Sequence, residues 1–174
     1  MSSVTTLHDA AHDAVAGVPD PELPPVTLGM LGMVHAVTVD DAGAVHVDLL
    51  PTFSGCPATE MIGRDVEEAL RQVPGVTDVT VRFRFDPPWT PDRITAEGHD
   101  RLREFGIAPP GGATGAPEPG GRVTLPLAIA PPDPRPCPYC GSDDTVRDSE
   151  FGPTPCRDVR FCGACQQPFE AFKS

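Results

Sequence analysis

Two cysteine pairs near one end of the chain constrain it more than any other feature. Cys137–Pro138–Tyr139–Cys140–Gly141 and Cys162–Gly163–Ala164–Cys165 are C-x-x-C knuckles separated by 21 residues. Two residues between thiolates let one tight turn present both sulfurs to a single ion, and two such turns complete a tetrahedral four-sulfur site. Gly141 and Gly163 supply the backbone freedom that such turns need. The spacer carries strand-forming pieces at 145–147 and 158–161, so a zinc ribbon is the expected form. Zinc is expected as a structural ion, its binding standing in for a core that a short tail cannot build. Iron is the alternative, because C-P-x-C-G also occurs in one-iron electron-transfer sites and both metals accept four sulfurs. Cys156 lies between the knuckles, and three readings of it stay open: a fifth sulfur near the site, a transfer ligand, or a buried thiol.

The knuckles read as metal ligands partly because nothing marks the chain for export. Residues 1–10 have neither a basic n-region nor an apolar h-region, so the expected compartment is the cytoplasm, where thiols stay reduced. No apolar run approaches the roughly 20 residues that a membrane span requires. Charge excludes another class. Residues 1–130 hold 8 basic and 18 acidic side chains, residues 131–174 hold 5 and 7, and the whole carries −12. Nucleic-acid backbones bind clustered Lys and Arg, so no nucleic-acid partner is expected.

The tail is set apart by a linker at 109–136, where nine prolines and five glycines fill half of the 28 positions. Such a segment cannot build its own core, although its run at 123–129 is apolar enough to pack on a neighbour. The expected domains are thus 1–108, a Pro/Gly-rich linker, and a four-cysteine ribbon at 137–174.

The first domain reads as α+β, in the order α-β-β-α-β-α with helices on one face of a small sheet. Thr5 or Thr6 caps a helix that buries Leu7, Ala11, Ala14, Val15 and Val18. The run Asp20–Pro21–Glu22–Leu23–Pro24–Pro25 forces an extended, turn-rich path. Strands at 33–39 and 44–50 flank the turn Asp40–Asp41–Ala42–Gly43, with Val45, Val47 and Leu49 alternating against polar neighbours. A helix over 58–73 buries Ile62, Val66, Ala69, Leu70 and Val73. A strand follows with Val79, Val81, Phe83 and Phe85 on one face, then a helix over 91–105 that buries Ile94, Leu102 and Phe105.

Gly55–Cys56–Pro57–Ala58–Thr59–Glu60 places a lone thiol just before a helix, where backbone N–H groups and the positive dipole end favour a thiolate. A buried cysteine without chemistry is the other reading, and no general base for a thiol hydrolase accompanies it. Asp20 and Glu22 form an acidic pair that either approaches Cys56 or serves only turn formation. The pair His8/His12 is read as a solvated helix face, since no further ligand joins it.

Taken together, Asp20-Pro-Glu-Leu-Pro, Leu31-Gly-Met-Val, Pro51-Thr-Phe-Ser-Gly-Cys56-Pro-Ala-Thr-Glu60 and Pro87-Pro-Trp-Thr resemble the iron–sulfur-assembly domain of SufT-like proteins. With Gly106-Ile-Ala-Pro-Pro, Ser149-Glu-Phe-Gly and the paired knuckles, the chain resembles the PaaD (PaaJ) family, accessory subunits of the bacterial phenylacetyl-CoA 1,2-epoxidase system. The resemblance implies a part in phenylacetate catabolism, maturing or maintaining metal centres of the oxygenase complex rather than catalysing a reaction. It makes Cys56 the reactive cysteine, with Asp20 and Glu22 in its acidic loop and Thr59 and Glu60 beside it, where a transient iron–sulfur cluster is the implied cargo. The implied partners are the other oxygenase subunits, above all the iron–sulfur reductase, and the iron–sulfur assembly machinery. A structural or electron-transfer subunit is the alternative. Paired Glu-x-x-His helices and nucleotide fingerprints are missing, so the chain is neither the di-iron nor the flavin subunit.

Overall fold

The computed structural model describes residues 2–111 and 135–173, with side chains from Thr6 onward. The chain divides into two compact units between Phe105 and Gly106. Most of the proline-rich stretch, including the apolar run at 123–129, lies outside the described residues.

In the first unit α1 (Ser2–Ala16) leads into a short antiparallel pair, β1 (Pro19–Asp20) and β2 (Leu23–Thr27). A hairpin of β3 (Val34–Val39) and β4 (Ala44–Leu49) follows, then α2 (Thr59–Arg71), β5 (Asp78–Phe83), a 3₁₀ turn (Pro91–Arg93) and α3 (Ala96–Glu104). The sheet runs β3-β4-β5, antiparallel in the hairpin and parallel between β4 and β5, which α2 connects. Asp40 builds the hairpin turn, its Oδ1 accepting the N–H groups of Ala42 (2.9 Å) and Ala44 (2.8 Å).

The α+β class holds, and one face of the sheet takes the helices: α1 packs on β3 and α2, and α2 on β5. Toward the core point Val45, Val47 and Leu49, with Ala11 and Val15 of α1 and Ile62, Val66 and Leu70 of α2. Each fully buried side chain of this size contributes about 1.5–3 kcal/mol. The opposite face carries the aligned row Thr38, His46 and Thr80, polar as an uncovered face requires. Among the described residues no helix is long and apolar enough to cross a membrane.

Several elements differ from expectation. The first helix starts at Ser2, so Thr6 lies inside it rather than capping it. The helix expected over 91–105 is broken: Ile94 is extended, and Thr95 caps α3 by accepting the Gly98 N–H at 3.0 Å. Phe105 is 47% exposed and Phe85 56%, because α3 ends at Glu104 and β5 at Phe83 before either residue can turn inward. His8 is not merely solvated, since its Nε2 lies 3.1 Å from the Val37 carbonyl oxygen.

Residues 28–33 form a backbone hub for the end of the unit. Trp89 Nε1 donates to the Leu31 carbonyl (2.8 Å), Arg93 Nε to that of Gly32 (2.8 Å), and the Thr95 N–H to that of Met30 (2.9 Å). The Leu31-Gly-Met and Pro-Trp-Thr motifs are therefore two halves of one interlock. Gly32 has φ +63°, and a Cβ on it would collide with the Arg93 carbonyl. Gly32→Ala is expected to cost about 2 kcal/mol or more, lowering the melting temperature of this unit by roughly 10 °C. Thermal unfolding followed by circular dichroism checks it, and an unchanged melt would contradict the interlock.

The second unit is a four-stranded sheet in the order β6-β9-β8-β7, made of β6 (Ile107–Ala108), β7 (Thr145–Ser149), β8 (Arg157–Cys162) and β9 (Pro168–Phe172). Strand β6 runs parallel to β9, and β7, β8 and β9 are antiparallel neighbours. Ile107 and Ala108 thus belong to this sheet, not to the preceding unit where the sequence pattern puts them. Charges are buried here. Asp158 and Arg160 make a two-pronged pair at 3.0 and 3.2 Å with both side chains 5% exposed, and Arg157 Nη1 lies 2.6 Å from Glu170 Oε2.

Candidate metal centre and cysteine turn

The sequence folds each C-x-x-C pair into a turn whose tight bend is closed by the main chain. In the first knuckle the Gly141 N–H donates to the Cys137 carbonyl (2.8 Å), and in the second the Gln166 N–H donates to that of Cys162 (2.9 Å). Both closing residues are left-handed, Gly141 at φ +73° and Gln166 at +58°. The expectation that Gly163 supplies such freedom is therefore corrected. Gly163 is small for a different reason: the Asp144 carboxylate occupies the space that a Cβ would need.

These turns bring the sulfurs of Cys137, Cys140, Cys162 and Cys165 within 4.8 Å of one another. Cys137 and Cys165 are 3.7 Å apart and Cys140 and Cys162 3.6 Å. Four thiolates about 2.3 Å from one zinc stand about 3.8 Å apart, so the donor set fits a tetrahedral thiolate-bound metal. No other group of three or more metal-capable side chains occurs among the described residues. The backbone N–H groups of Cys165 and Ala164 face Cys162, and the former contributes most to drawing its thiol down to about 7. Desolvation pushes the Cys165 thiol up to about 12, with the Cys162 sulfur beside it. A metal that takes all four as thiolates releases protons as it binds, so its affinity weakens in acid. Cys156 stands outside the four-sulfur group: it is 8% exposed, and its Sγ lies 3.2 Å from Thr154 Oγ1.

In the first unit, Cys56 is half-buried in the turn that leads into α2. Its N–H donates to the Phe53 carbonyl (3.1 Å), and its own carbonyl accepts the Thr59 hydroxyl (3.2 Å). The N-cap of α2 is Ala58, which offers no capping side chain. Pro57 therefore precedes the helix instead of occupying its first turn, and Cys56 stands one residue further out. The N–H groups of the first turn, orphaned in any helix, face the loop that carries this cysteine.

Thr59 and Glu60 line, with Gly63, Val81 and Phe83, an open groove of about 550 Å³ between α2 and β5. Phe53, Phe85, Trp89 and Arg84 border a smaller pocket of about 150 Å³ on the preceding loop. Sequence reasoning does not single out this aromatic pocket. Its one signal is Phe85, two residues past Phe83 and so beyond the strand's reach. Asp20 serves the β1–β2 turn, its Oδ1 accepting the N–H groups of Glu22 (2.9 Å) and Leu23 (3.1 Å), and both acids are half-buried.

Comparison with known proteins divides the chain along the same line. Residues 8–83 match the family described as "Iron-sulfur cluster assembly protein", and residues 128–173 match the "PaaD zinc beta ribbon domain". Over 156 residues the chain is 42% identical to a protein of Escherichia coli (strain K12) whose name makes it a component of 1,2-phenylacetyl-CoA epoxidase, covering 90% of this chain and 86% of that one. The "Fe-S protein maturation auxiliary factor YitW" of Bacillus subtilis (strain 168) is 38% identical over 82 residues, which are 47% of this chain and 79% of its own. A crystal structure of a "Domain of Unknown Function DUF59" from Bacillus anthracis superposes with a TM-score of 0.54 at 30% identity, covering 57% of this chain and 94% of that one.

Proposed function

The chain belongs to the PaaD family of 1,2-phenylacetyl-CoA epoxidase subunits, and from that premise we propose that it is a cytoplasmic, non-catalytic maturation factor of a phenylacetyl-CoA oxygenase system. It serves the iron–sulfur and metal centres of the complex, above all the cluster of the reductase, and works with the iron–sulfur assembly machinery. The observation that carries this reading is a half-buried thiol just before α2, whose N-cap Ala58 offers no capping side chain, on a domain that matches the iron–sulfur-assembly family. Soft thiolate suits iron, and the backbone N–H groups at a helix N-terminus suit an anion. In this reading Cys56 handles the cargo, Thr59 fixes its turn through the Cys56 carbonyl, and Asp20, Glu22 and Glu60 supply the acidic surroundings. The ribbon, braced by zinc on Cys137, Cys140, Cys162 and Cys165, docks the chain on its partners.

A second reading makes the chain a structural or electron-transfer subunit with iron on the same four sulfurs. Backbone N–H groups aimed at Cys140, Cys162 and Cys165 suit iron as they suit zinc, because hydrogen bonds to the sulfurs also tune iron–thiolate sites. Metal analysis and an optical spectrum of the protein purified without oxygen separate the two. The maturation reading expects a colourless protein with one zinc per chain. One iron per chain with strong visible absorption would move the assignment to electron transfer.

A further inference from the structure

Helix α2 has three faces. At about 100° per residue, Ile62, Val66 and Leu70 turn into the core, while Glu60, Gly63, Arg64 and Glu67 border the groove toward β5. Asp65, Glu68 and Ala69 form the remaining flank. This flank is one wall of a separate groove of about 410 Å³, whose other wall comes from the chain after α1 and the β1–β2 turn. Val18, Pro21, Pro24 and Ala69 give the groove an apolar lining, and among the described residues its only charges are Asp20, Asp65 and Glu68. No described basic side chain lines it. Arg64 faces the other groove, and Arg71 is held by Glu67 at 2.6 Å. Met61, one turn before Asp65 on the same flank, is 45% exposed and extends the apolar surface.

We propose that this groove docks a basic segment of a partner protein. The aliphatic stems of its Lys or Arg residues lie on the prolines and Ala69, and their cationic heads meet Asp65 and Glu68. Charge complementarity selects the occupant. A neutral apolar segment would bury the lining but strip water from the Asp65 and Glu68 carboxylates without replacing it. A second copy of a chain with net charge −12 would bring like charge to the groove. The inference rests on Asp65 and Glu68, which have no part in what Cys56 does, so either can fail without the other.

The probe is a synthetic hexapeptide of alternating lysine and leucine, titrated at low salt into the ¹⁵N-labelled full chain. Amide shifts are expected to concentrate at Asp20, Asp65, Glu68 and Ala69. The double variant Asp65→Asn/Glu68→Gln should bind about fivefold more weakly, as loss of two exposed ion pairs implies, with a shallower salt dependence. The control Glu97→Gln/Asp100→Asn, on α3, should bind as the wild type does. Shifts scattered over every acidic surface, no binding, or equal weakening by both double variants would each overturn the proposal.

Discussion

Removing the metal with a chelator is expected to melt residues 106–173 and to leave residues 2–105 folded. In the ribbon, Ala108, Cys137, Cys162, Phe169 and Ala171 form a buried apolar cluster, beside which Ile107 and Phe172 are also buried, and two of the cluster's members are themselves metal ligands. A unit this small rarely draws more than about 3–5 kcal/mol from its core, whereas structural zinc supplies roughly 10–16 kcal/mol in small zinc peptides. The buried Asp158–Arg160 pair does not close that gap, because desolvation of both charges offsets most of their attraction. In the first unit, by contrast, Val45, Val47, Leu49, Ile62, Val66 and Leu70 make an ordinary core that needs no ion. Amide spectra of the full chain before and after chelation read both units at once. Ribbon signals that keep their dispersion after complete metal removal would contradict the expectation.

Replacing Cys56 with alanine is expected to abolish maturation while sparing the fold. Two hydrogen bonds at this position use the main chain: the N–H to the Phe53 carbonyl, and the carbonyl from the Thr59 hydroxyl. Both survive the substitution, and loss of a half-buried sulfur costs about 1 kcal/mol. The first unit offers no second thiol to take over, since Cys56 is the only cysteine before Cys137. Serine should not rescue it, because a hydroxyl is a hard, protonated group at neutral pH where a soft thiolate is required. A melting curve close to wild type for both variants establishes that function and not folding was lost.

The four-sulfur site was legible because its geometry is local: each pair of ligands sits on one turn, and spacing alone brings the sulfurs together. The β3–β4 hairpin was legible for a similar reason. Asp40 marks the turn, and Val45, Val47 and Leu49 mark the buried face. Strand β6 was not, because Ile107 and Ala108 are ordered by Glu170 and Ala171, more than sixty positions away. The end of the third helix misled for a related reason. Phe105 keeps helical spacing with Leu102, but Gly106 at φ +82° turns the chain away, and Ile107 is buried in the sheet of the second unit instead. On β8 the charged side chains Asp158 and Arg160 are buried and neutralise each other beneath the surface, while Phe161 is 39% exposed, which a strand-forming run alone does not reveal. The surroundings of Cys56 were the least legible. The residue itself stood out, but the groove and the aromatic pocket nearby combine α2, the edge of β5 and the loop before the 3₁₀ turn.

The iron and acid-labile sulfide content of the oxygenase reductase, purified without oxygen from cells carrying either the wild-type chain or Cys56→Ala, tests the maturation role most directly. With the variant, the reductase should be made at normal abundance but with its cluster depleted to the level found in cells lacking this protein altogether. A reductase with full cluster content in cells carrying the variant or lacking the protein would contradict it.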